Sequence, residues 1–228
     1  LGHCLDRMDK RCRNGETMSE RLQDEYRYLR FVNDEMTPGR KAVEPRLENI
    51  NAPLFRHRIA VQLSDRYIYM GNPAKAGPLL TAAIDFFNSR GLDGDQLRAL
   101  TTKAKFLRET GHIDEARLLY QSLFIKCKAR GHSVQAGNIA VDLGNLYMGR
   151  DLYKTAESWY LKAVTIFEAV DYRNGLFLAE SNLVETRKTR GDWDAVKQSL
   201  ENSLKYYKQH QNVPAMGMKR LNWPNWNF

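Results

Sequence analysis

The sequence predicts an all-α fold, a right-handed superhelical solenoid built from antiparallel helix pairs. Three observations predict it. Apolar residues recur three and four positions apart, five columns of residue types repeat at a spacing of 40, and a glycine-bearing turn divides each repeat. Apolar side chains three and four apart share one face of a 3.6-residue helix, and a fixed period of this length marks a stacked-repeat architecture.

Composition fits such a fold. Of 228 residues, 43% are apolar, and 35 Lys plus Arg against 27 Asp plus Glu leave a net charge of +8. That is enough apolar material for a packed core, which excludes a disordered, collagen-like or disulfide-stapled chain. No apolar run approaches the roughly 20 residues that span a bilayer, and no charged-then-apolar leader opens the chain, so a soluble protein without membrane contact is expected. Leu1 stands where Met would begin a gene product, so the sequence reads as a piece of something longer. Its cysteines, Cys4, Cys12 and Cys127, are sparse and odd in number, which points to a reducing, cytoplasmic setting. His3, Cys4 and Cys12 lack a fourth ligand at a zinc-like spacing, so no metal or cofactor is expected.

Taken in order, residues 1–52 read as an irregular helical cap, because the end unit of a solenoid needs a different outer face. Within it Met18, Leu22, Tyr26, Leu29, Asn33 and Met36 recur at helical spacing. Thr17 and Glu20 are placed as a capping pair, and Thr37-Pro38-Gly39 stops the helix. Residues 40–52, with Pro45, form an ambiguous charged segment.

Four repeats follow, at 53–92, 93–132, 133–172 and 173–212. Ala76, Ala116, Ala156 and Val196 share one column; Leu80, Tyr120, Tyr160 and Leu200 lie four residues on, and Ala83, Leu123, Ala163 and Ser203 three beyond those. Upstream stand Tyr67, Leu107, Tyr147 and Arg187, then Gly71, Gly111, Asp151 and Gly191. Each repeat is therefore a helical hairpin whose small residue lets the two helices approach. Glycine ends the first helix cheaply, with Gly149-Arg150-Asp151 as a displaced version in the third repeat. Pro78 is expected to kink the second helix of the first repeat. Residues 213–228 begin another first helix or cap, ending in Trp223, Trp226 and Phe228. Those aromatics suit either a cover for the last apolar face or a docking tail for a partner, self-association included.

The third repeat carries the clearest signature, Leu143-Gly144, Tyr147, Tyr153, Ala156, Tyr160 and Ala163. It resembles the tetratricopeptide repeat, and the resemblance extends over residues 53–212, some 70% of the chain. The fit is looser elsewhere: Lys103 stands where that family usually has Leu, and Arg187 where it has an aromatic. The 40-residue period is similar to the long-helix variety of kinesin light chains, bacterial peptide-pheromone receptors and MalT-type activators. The resemblance implies a binding module, with the first helices lining a concave groove.

No Gly-x-Gly-x-x-Gly, Gly-x4-Gly-Lys-Ser/Thr or His-Glu-x-x-His pattern is present, and His57, His112 and His132 fall on a helix surface or at turns. Asp114 with Glu115, and Asp192 with Asp194, sit where the first turn of a helix favours acids. A non-enzymatic role follows. Setting the repeats on the family pattern places Arg58, Val61, Asp65, Ile68 and Tyr69 in the groove in the first repeat, and Val141 among the groove residues of the third. Arg98, Lys105 and Arg108 share a helix face that suits the carboxylates of an acidic peptide, unless they are simply a solvated face. The resemblance implies that Asn138, Asn145 and Asn182 hydrogen-bond a peptide backbone, since a primary amide both donates and accepts; bracing neighbouring helices is the alternative. Successive segments carry net charges of 0, +3, +3, −2, +2 and +2, with no cationic stripe interleaved with aromatics, so direct nucleic-acid binding is not expected. The expected partner is a protein or peptide. A sensory or regulatory domain of a larger signalling or transcription protein, responding to a small inducer or peptide, is the alternative.

Overall fold

The structure, a computed structural model, describes residues 2–13, 19–36 and 46–209. Among them the elements are helical: α1 (Gly2–Arg13), α2 (Glu20–Met36), α3 (Pro53–Tyr69), α4 (Ala76–Ser89), α5 (Asp93–Glu109), α6 (Ile113–Ala129), α7 (Ser133–Met148), α8 (Tyr153–Ala169), α9 (Arg173–Thr189) and α10 (Trp193–Gln209). Short 3-10 turns lie at Leu47–Asn49 and Pro73–Lys75.

The turns from α3 onward share one construction. The residue that reverses the chain takes positive φ at Gly71, Gly91, Gly111, Gly131 and Gly191, and in two turns that residue is an aspartate, Asp151 (φ 58°) and Asp171 (φ 47°). Aspartate is among the few side chains that visit this region. Gly149 therefore does not serve as a displaced glycine stop: it caps α7 in the right-handed conformation, and Asp151 makes the reversal. Just past each reversal an N–H returns to the carbonyl five residues back, as in Asn72 to Tyr67 (2.8 Å), His112 to Leu107 (2.8 Å) and Tyr172 to Phe167 (2.9 Å). This satisfies carbonyls that the helix end would orphan.

Pro78 does not kink α4. The helix begins at Ala76 after the Pro73–Lys75 turn, so Pro78 falls in the first turn, where a missing N–H costs nothing. At the chain's start, α2 ends at Met36. Its N-terminal side-chain acceptor is Ser19 Oγ, which receives the Leu22 N–H at 3.4 Å; Thr17 lies outside the described residues.

The chain divides into two compact units, residues 1–116 and 117–228. In the first, α1 packs on α2, α2 on α3, α3 on α4, and α5 on both α3 and α4. Phe31, Ile50, Phe55, Ile59 and Leu63 form one core, and Val61, Ala83, Phe87 and Ala99 another. The buried Asp24 carboxylate on α2 accepts the Ala52 N–H at 2.6 Å and an Arg27 N–H at 3.0 Å, tying α2 to the start of α3.

In the second unit α7, α8, α9 and α10 pack in succession. Ala140, Val141, Ala156, Tyr160, Ala163, Phe167, Leu176, Ala179 and Leu183 make its core. Glycines set the helix spacing. A Cβ on Gly144 would run into the Tyr160 ring, and one on Gly137 or Gly175 into that of Phe167. Each of those rings, fully buried, contributes roughly 1.5–3 kcal/mol of transfer free energy. Arg187, in the column where an aromatic is usual, is held instead by charge. It donates to Glu157 at 2.8 Å and to Ser199 Oγ, and Arg190 donates to the other oxygen of Glu157.

Candidate binding surface

Two walls carry the residues singled out from the sequence. In the first unit α3 faces α5, and beside the apolar contact of Val61 with Ala99 the pairing is electrostatic. Arg58 grips Asp95 with two parallel bonds of 2.8 Å, and Lys105 meets Asp65 at 3.0 Å. The two-pronged bond to Asp95 pushes the Arg58 pKa above its usual value despite some loss of solvent. Both pairs link residues 37 to 40 positions apart, so they join one repeat to the next.

The cations Arg98, Lys105 and Arg108 are not equivalent. Lys105 is half-buried against Asp65, and Arg108 bonds its neighbour Glu109 at 2.8 Å. Arg98 is exposed on α5. A carboxylate approaching this wall therefore meets the charge of Arg98 directly and those of Lys105 and Arg108 already partly compensated.

In the second unit the wall is formed by α7 and α9 and is built on amides. Asn138 is exposed on α7. Asn145 and Asn182 meet across the helix pair: Asn182 Nδ2 donates to Asn145 Oδ1 at 3.4 Å, and Tyr160 on α8 donates its hydroxyl to the same oxygen at 2.7 Å. Asn145 and Asn182 are half-exposed, whereas Tyr160 is 1% exposed. Leu178, in the same column as Asn138, is 49% exposed on α9, one turn before Asn182.

Val61, Ile68 and Val141, expected to line the groove, are buried and belong to the core. Tyr69 is exposed at the end of α3. His57 stacks on Phe86 with ring centroids 4.2 Å apart, and its Nδ1 lies 2.7 Å from the Pro53 carbonyl, so it is occupied by packing. The sequence reading missed the pairing of Asp95 with Arg58 and the part Tyr160 plays beside Asn145. A signal for such cross-repeat contacts was present in the opposite charges of Asp65 and Lys105 within one column. The side chains of His3, Cys4 and Cys12, and residues Trp223, Trp226 and Phe228, lie outside the described residues. Among the described residues no cluster of three or more His, Cys, Asp or Glu is placed to hold a metal, and no helix is long and apolar enough to cross a membrane.

No family model matches the chain, and no curated protein matches it. Solved structures do. A Rap protein complexed with competence and sporulation factor superimposes with a TM-score of 0.77 at 14% identity, covering 96% of this chain and 61% of that one. The fold is that of a tetratricopeptide-repeat protein. Aspartyl phosphate phosphatase F from Bacillus subtilis superimposes with a TM-score of 0.70 at 14% identity, covering 88% of this chain and 55% of the other. The present chain thus spans little more than half the length of these neighbours. Its helical-hairpin architecture is shared with them at an identity where fold alone is common.

Proposed function

We propose that the chain is a peptide- or protein-binding module that holds an extended polypeptide against its first helices without covalent chemistry. The observation that carries this reading is the Asn145–Asn182 pair, two half-exposed amides linked to each other on a wall where charged pairs would otherwise stand. An amide offers donor and acceptor together, the complement of a peptide backbone. Asn138, two turns before Asn145 on α7, extends that row; within the first unit, Arg98, with Lys105 and Arg108 on the same helix, offers attraction for a carboxylate. The fold neighbour complexed with competence and sporulation factor supports the reading, since the same architecture there holds a bound factor. A cytoplasmic setting accords with the buried free thiol of Cys127.

Titration of blocked synthetic peptides, neutral and acidic, tests the assignment. Replacing Asn145 and Asn182 together by Ala should abolish binding of both kinds, and Arg98→Glu should weaken the acidic peptides alone. Lys105→Glu and Arg108→Glu should follow Arg98→Glu with smaller effects. Affinity indifferent to the two asparagines would refute the proposal.

A second reading, a regulatory domain of a larger protein, is favoured by the length of the neighbours, of which this chain spans 61% and 55%. The sequence of the gene on either side tests it: an adjoining helix-turn-helix, kinase or cyclase domain would establish that class.

A further inference from the structure

We infer that Tyr160 is a positioning residue that fixes the orientation of the Asn145 amide, so that Asn145 offers only its N–H to a ligand while Asn182 supplies the matching carbonyl. The inference rests on the peptide-binding reading and deepens it. Asn145 Oδ1 receives two hydrogen bonds, from Tyr160 at 2.7 Å and from Asn182 at 3.4 Å, which occupies both lone pairs of a carbonyl oxygen. The Nδ2 of Asn145 is the polar end left for a guest, and Asn182, having spent one N–H on its neighbour, keeps its oxygen for the same guest.

Tyr160 can impose this because its own place is fixed. The ring is 1% exposed, and it lies against the bare Cα of Gly144, one residue before Asn145. A buried phenol needs an acceptor, and the ring brings its hydroxyl to one amide oxygen. Sequence position gives the contrast. Where the column of Tyr160 holds leucine, at Leu80 and Leu200, the column of Asn145 holds a carboxylate, Asp65 and Glu185, and each of these forms an ion pair instead, with Lys105 and Lys188. In the second repeat Tyr120 stands with Lys105, which is turned to Asp65, so the tyrosine and the amide occur together in the third repeat alone. One donor and one acceptor side by side are what a residue of a neighbouring β-strand would present, so this repeat sets the register of an extended guest by gripping the N–H and C=O of one residue.

The test uses a library of blocked synthetic hexapeptides, measured by fluorescence polarisation against the full chain, with side-chain amide NMR on the same samples. Tyr160→Phe keeps the ring and removes the hydroxyl. It is expected to shift the Asn145 amide resonances without any peptide present and to weaken the tightest library member by about fivefold. Asn145→Ala should weaken it comparably, and the double variant should lose little more than either single one, a non-additivity that packing alone would not produce. Full retention of affinity by Tyr160→Phe, or strictly additive losses, overturns the positioning role and leaves the peptide reading standing. Absence of binding by the unaltered chain across the library, with the amide shift present, overturns the peptide reading and the inference together.

Discussion

Adding a single methyl group at Gly144 tests how tightly α7 and α8 are fitted. The Cβ of alanine would fall on the Tyr160 ring, which has no exposed direction in which to swing and whose hydroxyl is bonded to Asn145. Overpacking a well-filled core costs typically 1–3 kcal/mol, and the upper half of that range applies where the obstacle is a ring fixed at both ends. Alanine regains roughly 0.5–1 kcal/mol of helix propensity over glycine. The net expectation is a loss of about 1–2 kcal/mol, read as a lower urea midpoint by circular dichroism. Gly94→Ala is the control: Gly94 lies in the first turn of α5 with nothing within 4 Å of the added carbon, and that change should be neutral or stabilising by about 0.5 kcal/mol. If Gly144→Ala raises the midpoint as much as Gly94→Ala does, the close fit of α7 against Tyr160 is wrong.

Other perturbations give graded outcomes. Glu157→Gln removes the negative charge and one of the two acceptor oxygens that the mostly buried Arg187 and Arg190 share, and should cost about 2 kcal/mol in chemical denaturation, whereas Glu185→Gln, in an exposed pair with Lys188, should cost under about 0.5 kcal/mol. Gly111→Ala forces a side chain into φ 84° and should destabilise by about 1 kcal/mol, while Asp151→Gly, which relieves φ 58° but gives up the bond from Tyr153, should stay within about 0.5 kcal/mol of the parent. Burial pushes the Cys127 thiol up, so at pH 8 it should carry less thiolate than a free cysteine and alkylate far more slowly, measured by mass spectrometry of its peptide, until denaturant is added. The sign follows for stability: the unfolded thiol ionises first, so this contribution is intact below the free-thiol range and lost as pH climbs through the folded value.

The framework was legible because it depends on short-range periodicity. Ala76, Ala116 and Ala156, chosen by spacing, are each 0% exposed, and Val196 in the same column is 7% exposed. The turns announced themselves through glycine except where aspartate replaces it at positions 151 and 171, a substitution that the letters alone do not distinguish from a helix-starting acid. Pro78 was misjudged because its effect depends on whether it falls in the first turn or the second, a shift of a few residues. Val61, Ile68 and Val141 lie next to the wall residues around the helix, and a small rotation of the assumed face was enough to move them from groove to core. Partner choice was the least legible. Whether Lys105 faces a ligand or Asp65, and whether Asn145 faces solvent or Tyr160, is decided by side chains 40 and 15 positions away.

The reversals at Gly71, Gly91, Gly111, Gly131, Asp151, Asp171 and Gly191 recur every 20 residues without drift. A helix turns about 100° per residue, so deleting one residue between two reversals would swing every later side chain of that helix by more than a quarter of a circle. Removing or duplicating a whole 40-residue stretch would leave the phase untouched. Changes in the length of such a gene should therefore survive in whole modules, and indels elsewhere should be confined to the joints.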